Sequence, residues 1–366
     1  MASTLFGTDA EIGVTRGVAE FHASRPVFIS GAYETILALP VEGLNAERLS
    51  DFNALCAPAM PRLVVTARRA RALGMDAASA MSLRLSRNFD AETVLAFVAG
   101  AKAGRRVQTR PAGAAAEAAI ELTKLAQGLP AVLGANIVPD AIATRHHIVS
   151  VEADSIARFR EESIESLRIA SEASMPLKSG NRATFVVFRN NVGDSPAAII
   201  IGKPDFRNPV AVRLHSACLT GDVFGSRRCD CGDQLQLSLD RLQARGGGIV
   251  LYLPQEGRGL GLANKMRTYQ MQDEGLDTID ANTTLGFDED ERDYGAAARM
   301  LQLLDCTSII LMTNNPAKLT GLAKWGIEIA GRLPIEAPIN VDNRRYLTAK
   351  AARAGHRLNE VLLAGS

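Results

Sequence analysis

The chain has 366 residues, of which 47% are hydrophobic and 22% are charged, with 41 Lys and Arg against 40 Asp and Glu. This length exceeds that of a usual single domain, and the composition is typical of a globular protein, so we expect two domains. The net charge of +1 gives no support for broad binding to nucleic acid or membrane lipid. The sequence has no apolar run long enough for a membrane-spanning helix and no signal pattern at its start, which predicts a cytoplasmic protein.

The cysteines fall into two groups. There are five, an odd number, which argues against a disulfide framework. Cys56 and Cys306 stand alone inside apolar stretches, and we interpret them as small buried hydrophobic side chains. The other three lie within fourteen positions and need a separate explanation: Cys218, Cys229 and Cys231.

Strands and helices alternate in the N-terminal part. Apolar runs and helical periodicity predict elements at Val27–Ile29, Leu63–Val65, Ala91–Ala99 and Ala116–Ala126. A further helical stripe, from Ile156 to Leu167, ends before the Pro- and Gly-containing segment Met175–Gly180, which we interpret as a linker. We therefore divide the chain into domains at residues 1–173 and 174–366.

The alternation continues in the C-terminal part, which predicts an α/β fold class. Predicted strands are Thr184–Phe188, Ala197–Ile201, Val210–Leu214, Ile249–Leu253 and Ser308–Met312. Predicted helices are Asp233–Ala244, Lys265–Gln272 and Tyr294–Leu304, with Pro316 at the first position of another.

Cys218, followed after ten residues by Cys229-Asp230-Cys231, has the donor type and spacing of a zinc site. Three thiolates without a fourth cysteine leave one coordination position open for water, as in catalytic zinc sites. A structural zinc with His215 as fourth ligand, or three simply buried cysteines, explains the spacing equally well. His215 itself suits a ligand, a proton shuttle or a substrate contact.

Three polar segments follow predicted strands or precede predicted helices. Gln255–Gly261 combines three glycines with Arg258, which suits close approach of a phosphate. Asp290–Asp293 is either functional or a helix N-terminal charge cluster. Thr313–Pro316 is typical of an anion site and equally of a simple N-cap.

Five motifs stand in one order: His215-Ser216-x-Cys218-Leu219-Thr220-Gly221-Asp222, Arg228–Gly232, Gln255–Arg258, Leu285–Phe287 and Thr313–Pro316. In this order and spacing the chain resembles GTP cyclohydrolase II, the first enzyme of riboflavin synthesis, from about Ser174 to Leu358. The resemblance implies a mixed α/β C-terminal domain that opens the guanine ring at C8 and releases formate and pyrophosphate.

The resemblance also implies roles for individual residues. Cys218, Cys229 and Cys231 match zinc ligands, and magnesium is expected with the triphosphate. Asp290 matches a proton acceptor, Arg292 a nucleophile or charge-stabilising group in pyrophosphate release, and Tyr269 a residue near the base; composition alone predicts that Tyr269 is half-buried packing. The positions that match GTP contacts are Arg213, Leu214, His215, Ser216, Ala217, Gln234, Glu256, Gly257, Arg258, Thr278, Thr313 and Lys318. We expect a homodimer.

One position departs from the family pattern. Ala217 stands where the family usually has glutamate, directly before the first zinc ligand. The departure motivates a second hypothesis, a paralogue that acts on another nucleotide. A third hypothesis is a nucleotide-binding regulator without turnover, which the retained thiols, Tyr269, Asp290 and Arg292 disfavour.

The N-terminal half faintly resembles 3,4-dihydroxy-2-butanone-4-phosphate synthase, at Phe21–Val27 and Arg110–Leu125, which implies an α+β domain. That family has an acidic run that holds magnesium, whereas this chain has Ser30–Ile36 with Glu34 as its one carboxylate. The family histidine is replaced by alanine in Arg110–Glu117. We therefore predict a degenerate domain without synthase chemistry.

Overall fold

The computed structural model describes residues 7–86, 89–100, 107–137, 147–178 and 182–344. Two seven-stranded sheets with flanking helices confirm the α/β class. The chain divides into two compact units: Met1–Arg160 with Ala263–Glu291, and Glu161–Leu262 with Arg292–Ser366. None of the helices in the described part of the chain has the length and hydropathy that crossing a bilayer requires.

The described elements are numbered in chain order. The helices are α1 Asp9–His22, α2 Ala46–Cys56, α3 Ala67–Ala72, α4 Ala91–Ala99, α5 Ala114–Leu125, α6 Ala153–Glu165, α7 Cys231–Ala244, α8 Leu262–Asp273, α9 Thr278–Thr284, α10 Gly295–Leu303 and α11 Pro316–Lys324. The strands are β1 Val27–Ser30, β2 Thr35–Pro40, β3 Arg62–Val65, β4 Met81–Arg84, β5 Thr109–Pro111, β6 Ala131–Asn136, β7 Ser150–Glu152, β8 Arg168–Pro176, β9 Arg182–Arg189, β10 Ala197–Gly202, β11 Val210–Ser216, β12 Gly247–Leu253, β13 Ser308–Met312 and β14 Glu328–Leu333.

The sheet of the first unit has the order β5-β4-β3-β6-β2-β1-β7. All neighbouring strands run antiparallel except β1 and β7, which are parallel. Helix α5 buries Ala115, Ala119 and Leu122, which recur at helical spacing and form one apolar face. A capping box between Thr8 and Glu11 begins α1.

Residues 263–291 join the first unit through buried polar contacts. The Arg69 side chain is 2% exposed, and its guanidinium donates to the carbonyl oxygens of Phe97 at 2.6 Å and Thr284 at 2.7 Å. The Thr66 hydroxyl donates to the Gly286 carbonyl at 2.6 Å. Since a buried guanidinium needs several acceptors, Arg69 fixes α3, the end of α4 and the end of α9 together.

The sheet of the second unit has the order β14-β13-β11-β12-β10-β9-β8. Strands β14, β13, β11 and β12 are parallel, and β10, β9 and β8 add antiparallel neighbours. Val212 and Leu214 belong to one hydrophobic cluster and Ala211 to another, so alternate residues of β11 are buried on both faces. Helix α10 contributes Ala297 and Leu301 to the first cluster, and α7 contributes Leu242 to the second.

The predicted strands and helices are confirmed at nearly the predicted positions, but the predicted linker is wrong. Its described residues, 175–178, end strand β8, which pairs antiparallel with β9; residues 179 and 180 lie outside the described residues. The Pro-Gly-Ser signature of a linker is also that of a hairpin connection. The compact units also differ from the division at 173/174, because residues 161–173 belong to the second unit and 263–291 to the first.

Candidate functional site

Three polar segments follow adjacent parallel strands of the second sheet. Ala217 and Cys218 follow β11, Gln255–Gly261 follows β12, and Thr313–Asn315 follows β13. The carboxyl ends of parallel strands meet at one sheet edge, where α/β proteins commonly bind ligands. The topology therefore collects most of the predicted site residues of this unit at one edge.

The three predicted metal ligands form one cluster. Cys218 directly precedes a π-helical turn, Leu219–Val223, and Cys231 is the first residue of α7. The three sulfur atoms lie within 4.8 Å of one another, with 3.7 Å between Sγ of Cys218 and Sγ of Cys229. It is the one such group of His, Cys, Asp and Glu in the described ranges, and it has no fourth member. This donor set fits a soft or borderline metal ion with a position left for a non-protein ligand.

Two glycines allow this close arrangement. A β-carbon on Gly221 would lie 3.0 Å from Sγ of Cys229 and 3.1 Å from Sγ of Cys218. A β-carbon on Gly232 would lie 2.4 Å from the Gly221 carbonyl oxygen. The π-helical turn and the start of α7 therefore approach each other where neither has a side chain.

A buried carboxylate organises the residues around Cys218. Asp222 accepts hydrogen bonds from the Cys218 backbone N–H at 3.0 Å, the Tyr252 hydroxyl at 3.0 Å and Nε2 of His215 at 3.0 Å. Tyr252 and His215 are opposite one another in the β12–β11 pairing, and their rings stack with centroids 5.6 Å apart. The Asp222 carboxylate therefore connects side chains of β11 and β12 to the backbone of Cys218.

His215 is not among the clustered metal ligands, which disfavours the hypothesis of a fourth protein ligand. Its side chain is 2% exposed, and burial lowers its pKa, with Arg213 and Lys318 acting in the same direction and Asp222 opposing them. The neutral ring donates from Nε2 to the carboxylate, which assigns Nδ1 as an acceptor. In the described part of the protein, Nδ1 of His215 is buried without a hydrogen-bond partner.

Buried cationic groups lie next to the cysteines. Arg213 donates to the Met312 carbonyl at 3.1 Å and to Oε1 of Gln234 at 2.5 Å, and burial lowers its pKa to about 10. Lys318, on α11, donates from Nζ to the Leu214 carbonyl at 2.8 Å. Nε of Arg213 and Oγ of Ser216 are buried and lack a hydrogen-bond partner among the described residues. Such unpaired buried polar atoms suit a polar ligand.

The loop after β12 has an unusual backbone. Gly257 and Arg258 are both left-handed, with φ of 60° and 63°, which is uncommon for arginine. Glu256 accepts from the Leu219 backbone N–H at 2.7 Å, which joins this loop to the π-helical turn. Strained backbone of this kind concentrates at functional sites.

The segment after β13 is an N-cap, which confirms that interpretation. The Asn315 side chain accepts from the Ala317 N–H at 2.9 Å, and Pro316 is the first residue of α11. The buried Thr313 hydroxyl accepts from the Asn315 N–H at 3.0 Å. Capping does not exclude an anion site at the same helix N-terminus, which stays a prediction.

The remaining predicted residues divide between the units. Tyr269, Thr278 and Asp290 belong to the first unit, whereas Arg292 belongs to the second with the cysteines. Tyr269 is half-buried on α8, as predicted from composition, with Nζ of Lys265 5.7 Å from its ring centroid. Their participation in one site with the cysteines stays a prediction.

Arg292 and Ala217 have defined surroundings in the second unit. The guanidinium carbon of Arg292 lies 5.9 Å from the centre of the Tyr294 ring. Ala217 is half-buried, and its backbone N–H donates to the Leu253 carbonyl at 2.8 Å, which extends the β11–β12 pairing towards Cys218. The backbone therefore holds this position without a carboxylate.

Two residues of the network had no role in the sequence analysis. Asp222 follows the first cysteine by four residues, and only this spacing of one helical turn hinted that it returns to Cys218. Tyr252 gave no signal, because its partner His215 is distant in sequence and the strand register was unknown.

Comparison with known proteins shows which family the chain resembles. The sequence model described as GTP cyclohydrolase II matches residues 167–334. A GTP cyclohydrolase-2 of Xylella fastidiosa is 38% identical, covering 97% of this chain and 89% of that protein. The GTP cyclohydrolase-2 of Azospirillum brasilense is also 38% identical, covering 94% and 93%.

Two further matches carry other names. The riboflavin biosynthesis protein RibBA of Bacillus mycoides is 40% identical, covering 66% of this chain and 64% of that protein. A crystal structure of RibBX, a two domain 3,4-dihydroxy-2-butanone 4-phosphate synthase from A. baumannii, is 14% identical, with a TM-score of 0.35, and covers 89% of this chain and 99% of that one. At this TM-score the likeness is too weak to support a statement about this chain.

Proposed function

The chain is an enzyme of the GTP cyclohydrolase II family, and on this premise we propose that it hydrolyses GTP to 2,5-diamino-6-(ribosylamino)-pyrimidinone 5'-phosphate, releasing formate and pyrophosphate. This reaction is the first step of riboflavin biosynthesis. The observation that carries the proposal is the cluster of Cys218, Cys229 and Cys231 at the carboxyl edge of the parallel strands, beside buried cations.

The metal in this proposal is zinc. Three sulfur donors within 4.8 Å of one another, around a glycine that leaves room for an ion, fit zinc and leave one position for a substrate or solvent ligand. When bound, zinc would act as a Lewis acid and make water a better nucleophile at neutral pH. Asp222 would hold the Cys218 backbone in the ligating conformation through its N–H.

The chain's own polar groups would bind the nucleotide. Nδ1 of His215 is an acceptor aimed away from Asp222, and it suits an N–H donor of the guanine. Arg213 and Lys318 would face anionic oxygens, since both are buried cations near the N-terminus of α11. Gln234 would orient Arg213 through their 2.5 Å hydrogen bond.

The other predicted roles remain part of the proposal. Asp290 would accept a proton, Arg292 would act on the phosphates as nucleophile or charge-stabilising group, and Tyr269 would contact the base. The remaining proposed nucleotide contacts are Leu214, Ser216, Ala217, Glu256, Gly257, Arg258, Thr278 and Thr313. Magnesium would accompany the triphosphate.

We further propose that residues 174–366 form the cyclohydrolase domain and residues 1–173 a domain without synthase activity. The family match at residues 167–334 supports the first part. The absence of clustered acidic residues around Glu34 in the sequence supports the second. A homodimer and a cytoplasmic location are parts of the same proposal; all five cysteines are free thiols, which accords with a reducing compartment.

The test is an assay of purified, zinc-loaded protein with GTP and magnesium, which follows formate and the pyrimidine product separately. We expect both products in equal amounts. Formate without loss of pyrophosphate would indicate an altered reaction, and tight GTP binding without product would indicate a regulator. Ribulose 5-phosphate supplied to the same protein should give no butanone phosphate.

A further inference from the structure

The end of α5 and the turn that follows it contact two parts of the segment 263–291 within the first unit. We call residues 124–129 the α5 turn. One contacted part is helix α8, and the other is the loop 288–291 after α9. These parts contain Tyr269 and Asp290, which match catalytic residues of the family. The contacts of the α5 turn therefore concern residues that the proposed reaction requires, although the α5 turn belongs to the N-terminal half of the chain.

The start of α8 is fixed to the α5 turn by a buried amide. Asn264 is buried, and its Nδ2 donates to the carbonyl oxygens of Gln127 at 3.0 Å and Gly128 at 3.2 Å. Gln127 has a left-handed backbone, with φ of 53°, which is uncommon for a residue other than glycine. A buried amide that lost these acceptors would carry a desolvation penalty, so the contact holds α8 against the turn.

A second contact of α8 with the α5 turn passes through Glu42. The Glu42 carboxylate accepts from the Leu129 backbone N–H at 3.0 Å and from the Arg267 guanidinium at 2.6 Å. Arg267 also donates to Oδ1 of Asn264 at 2.6 Å. Since residues three apart share a helix face, the two contacts act on the same side of α8. Tyr269 lies on this helix, so its position depends on both.

The loop 288–291 is anchored by an ion pair with little exposure to solvent. Nζ of Lys124 lies 3.0 Å from Oε1 of Glu291, and the two side chains are 11% and 12% exposed. The same carboxylate oxygen accepts from the Asp288 backbone N–H at 2.8 Å. Burial acts to lower the pKa of Lys124, but the charges of Glu121 and Glu291 outweigh burial and raise it, so the lysine is protonated at neutral pH. The ion pair therefore ties this loop to α5.

We propose that the α5 turn is a positioning element for the cyclohydrolase reaction, in which Lys124 acts through Glu291 on Asp290. The contacts with α8 act in the same way on Tyr269. The inference rests on the proposed function, because it requires that Asp290 and Tyr269 take part in the reaction. Removing the cation would leave the Glu291 carboxylate buried without its partner, and the loop would move to solvate it. The N-terminal half thus contributes to the reaction without synthase chemistry of its own.

The test compares the full-length, zinc-loaded wild-type protein with Lys124→Met in formate release from GTP. We expect kcat to fall by about 10- to 100-fold, because a small displacement of a reacting group has an effect of this size. KM should change less than kcat, and the zinc affinity should stay at the wild-type value, since Lys124 belongs to the first unit and the cysteines to the second. Lys124→Arg keeps the charge and should restore most of the rate.

Hydrogen exchange provides a second readout that needs no turnover. In Lys124→Met, peptides that contain residues 288–291 should exchange faster than in the wild type. Glu121→Gln is the matched control, because Glu121 is the other carboxylate on Lys124, at 3.1 Å, and its side chain is 47% exposed. This variant should keep the wild-type kcat and the wild-type exchange.

Glu291→Gln tests the same contact from the other side and keeps an oxygen for the Asp288 N–H, so the proposal stays testable if Lys124→Met does not fold. If Lys124 acts through Glu291, adding Lys124→Met to Glu291→Gln should not lower kcat further. The proposal is overturned if Lys124→Met has the kcat of Glu121→Gln, if the two changes lower kcat independently, or if the loop exchanges at the wild-type rate. A wild-type protein that hydrolyses no GTP would refute the proposed function, and the exchange rates would still decide whether Lys124 holds the loop.

Discussion

Gly221 illustrates how a single residue without a side chain allows three cysteines to lie close together. The three cysteines come from two segments. Sγ of Cys218, Sγ of Cys229 and Cβ of Cys231 lie nearest to where a side chain at this position would be. A larger residue would have to displace two sulfur atoms that a bound metal holds at about 2.3 Å. The glycine is therefore as much a part of the site as the ligands.

We predict that Gly221→Ala lowers metal affinity by about 10- to 100-fold, in the range of changes that disturb ligand orientation. The reason is the 3.0 Å and 3.1 Å approach of the new methyl group to Sγ of Cys229 and Cys218. Competition with a chromophoric zinc chelator measures the affinity. Gly331→Ala is the control, since its β-carbon would make an ordinary 3.6 Å contact with Ile310. Equal zinc affinity in the two variants would contradict the prediction.

At the scale of single residues, the sequence predicts the metal ligands better than it predicts the residues that position them. The spacing of Cys218, Cys229 and Cys231 is short, so a local pattern suffices to expect one cluster. Asp222 and Tyr252 act through the register of β11 against β12, which is a long-range property. Three roles were open for His215 from sequence, and the contact of its Nε2 with Asp222, which disfavours a metal ligand, is again a matter of tertiary structure.

At the scale of the elements, β12 and α7 are in close contact at Gly248. A β-carbon there would lie 2.4 Å from Cδ2 of Leu242 and 2.5 Å from the Ala211 carbonyl oxygen. Gly246 follows the end of α7, with φ of +85°. Gly247 and Gly248 instead begin the strand.

We therefore predict that Gly248→Ala destabilises the second unit by about 1–3 kcal/mol, the usual cost of overpacking a close contact. The Leu242 side chain would have to move, and the β11–β12 pairing would have to open at Ala211, whose backbone oxygen is part of the sheet. Thermal unfolding followed by circular dichroism measures the change. Gly331→Ala again serves as control and should unfold like the wild type. A melting temperature for Gly248→Ala within error of the wild type would show that the contact relaxes freely.

Hydrophobic periodicity locates a helix because burial of one face imposes it directly, as in α10. Composition fails to identify a segment when two kinds of structure, such as a hairpin connection and a linker, contain the same residue types. Met175–Gly180 contains Pro, Ser and Gly, which end a strand before a hairpin connection as readily as they form a linker. Strand β8 is exposed along its whole length and so lacks the alternation that would have identified it.

At the scale of the whole molecule, the first unit is discontinuous in sequence. Residues 263–291 pack with residues 1–160, and Arg69 and Thr284 are in contact across 215 positions. No local pattern encodes such a contact, because an arginine in a helix is ordinarily solvated. This is why a division of the chain into two continuous domains was the simplest prediction from sequence.

We predict that Arg69→Met destabilises the first unit by about 3–5 kcal/mol, as expected when a buried charged hydrogen-bond network loses one partner. The carbonyl oxygens of Ala96, Phe97, Gly100 and Thr284 would each lose the hydrogen bond from this guanidinium. The measurement is denaturant unfolding of the full chain. Arg71→Met, two positions away and exposed, is the matched control and should change stability by less than about 0.5 kcal/mol. Similar losses in both variants would assign the effect to α3 as a helix rather than to the buried guanidinium.

The five thiols provide a test that spans both units. Cys56 and Cys306 are 1% and 0% exposed, and burial raises the pKa of their thiols to about 12 and about 11. A disulfide reagent reacts with the thiolate, so neither should react at pH 8 in the folded protein. A bound metal would protect the three clustered cysteines as well. Within the cluster Cys218 and Cys229 are also buried, and only Cys231 is half-buried. We therefore expect almost no fast-reacting thiol in zinc-loaded protein, one after chelation, and all five after unfolding.

The raised pKa values also predict how the number of reactive thiols depends on pH. Since the raised pKa values mean that the buried thiols ionise only near pH 11–12, raising the pH from 7 to 9 should leave Cys56 and Cys306 unreactive in the chelated, folded chain. Cys231→Ser should lower the chelated count from one to zero, whereas Cys306→Ala should leave it at one. Five reactive thiols after chelation alone would mean that the metal holds the fold of the whole chain. A fast-reacting Cys231 before chelation would mean that the cluster holds no metal, because thiolates bound to zinc react slowly with the reagent.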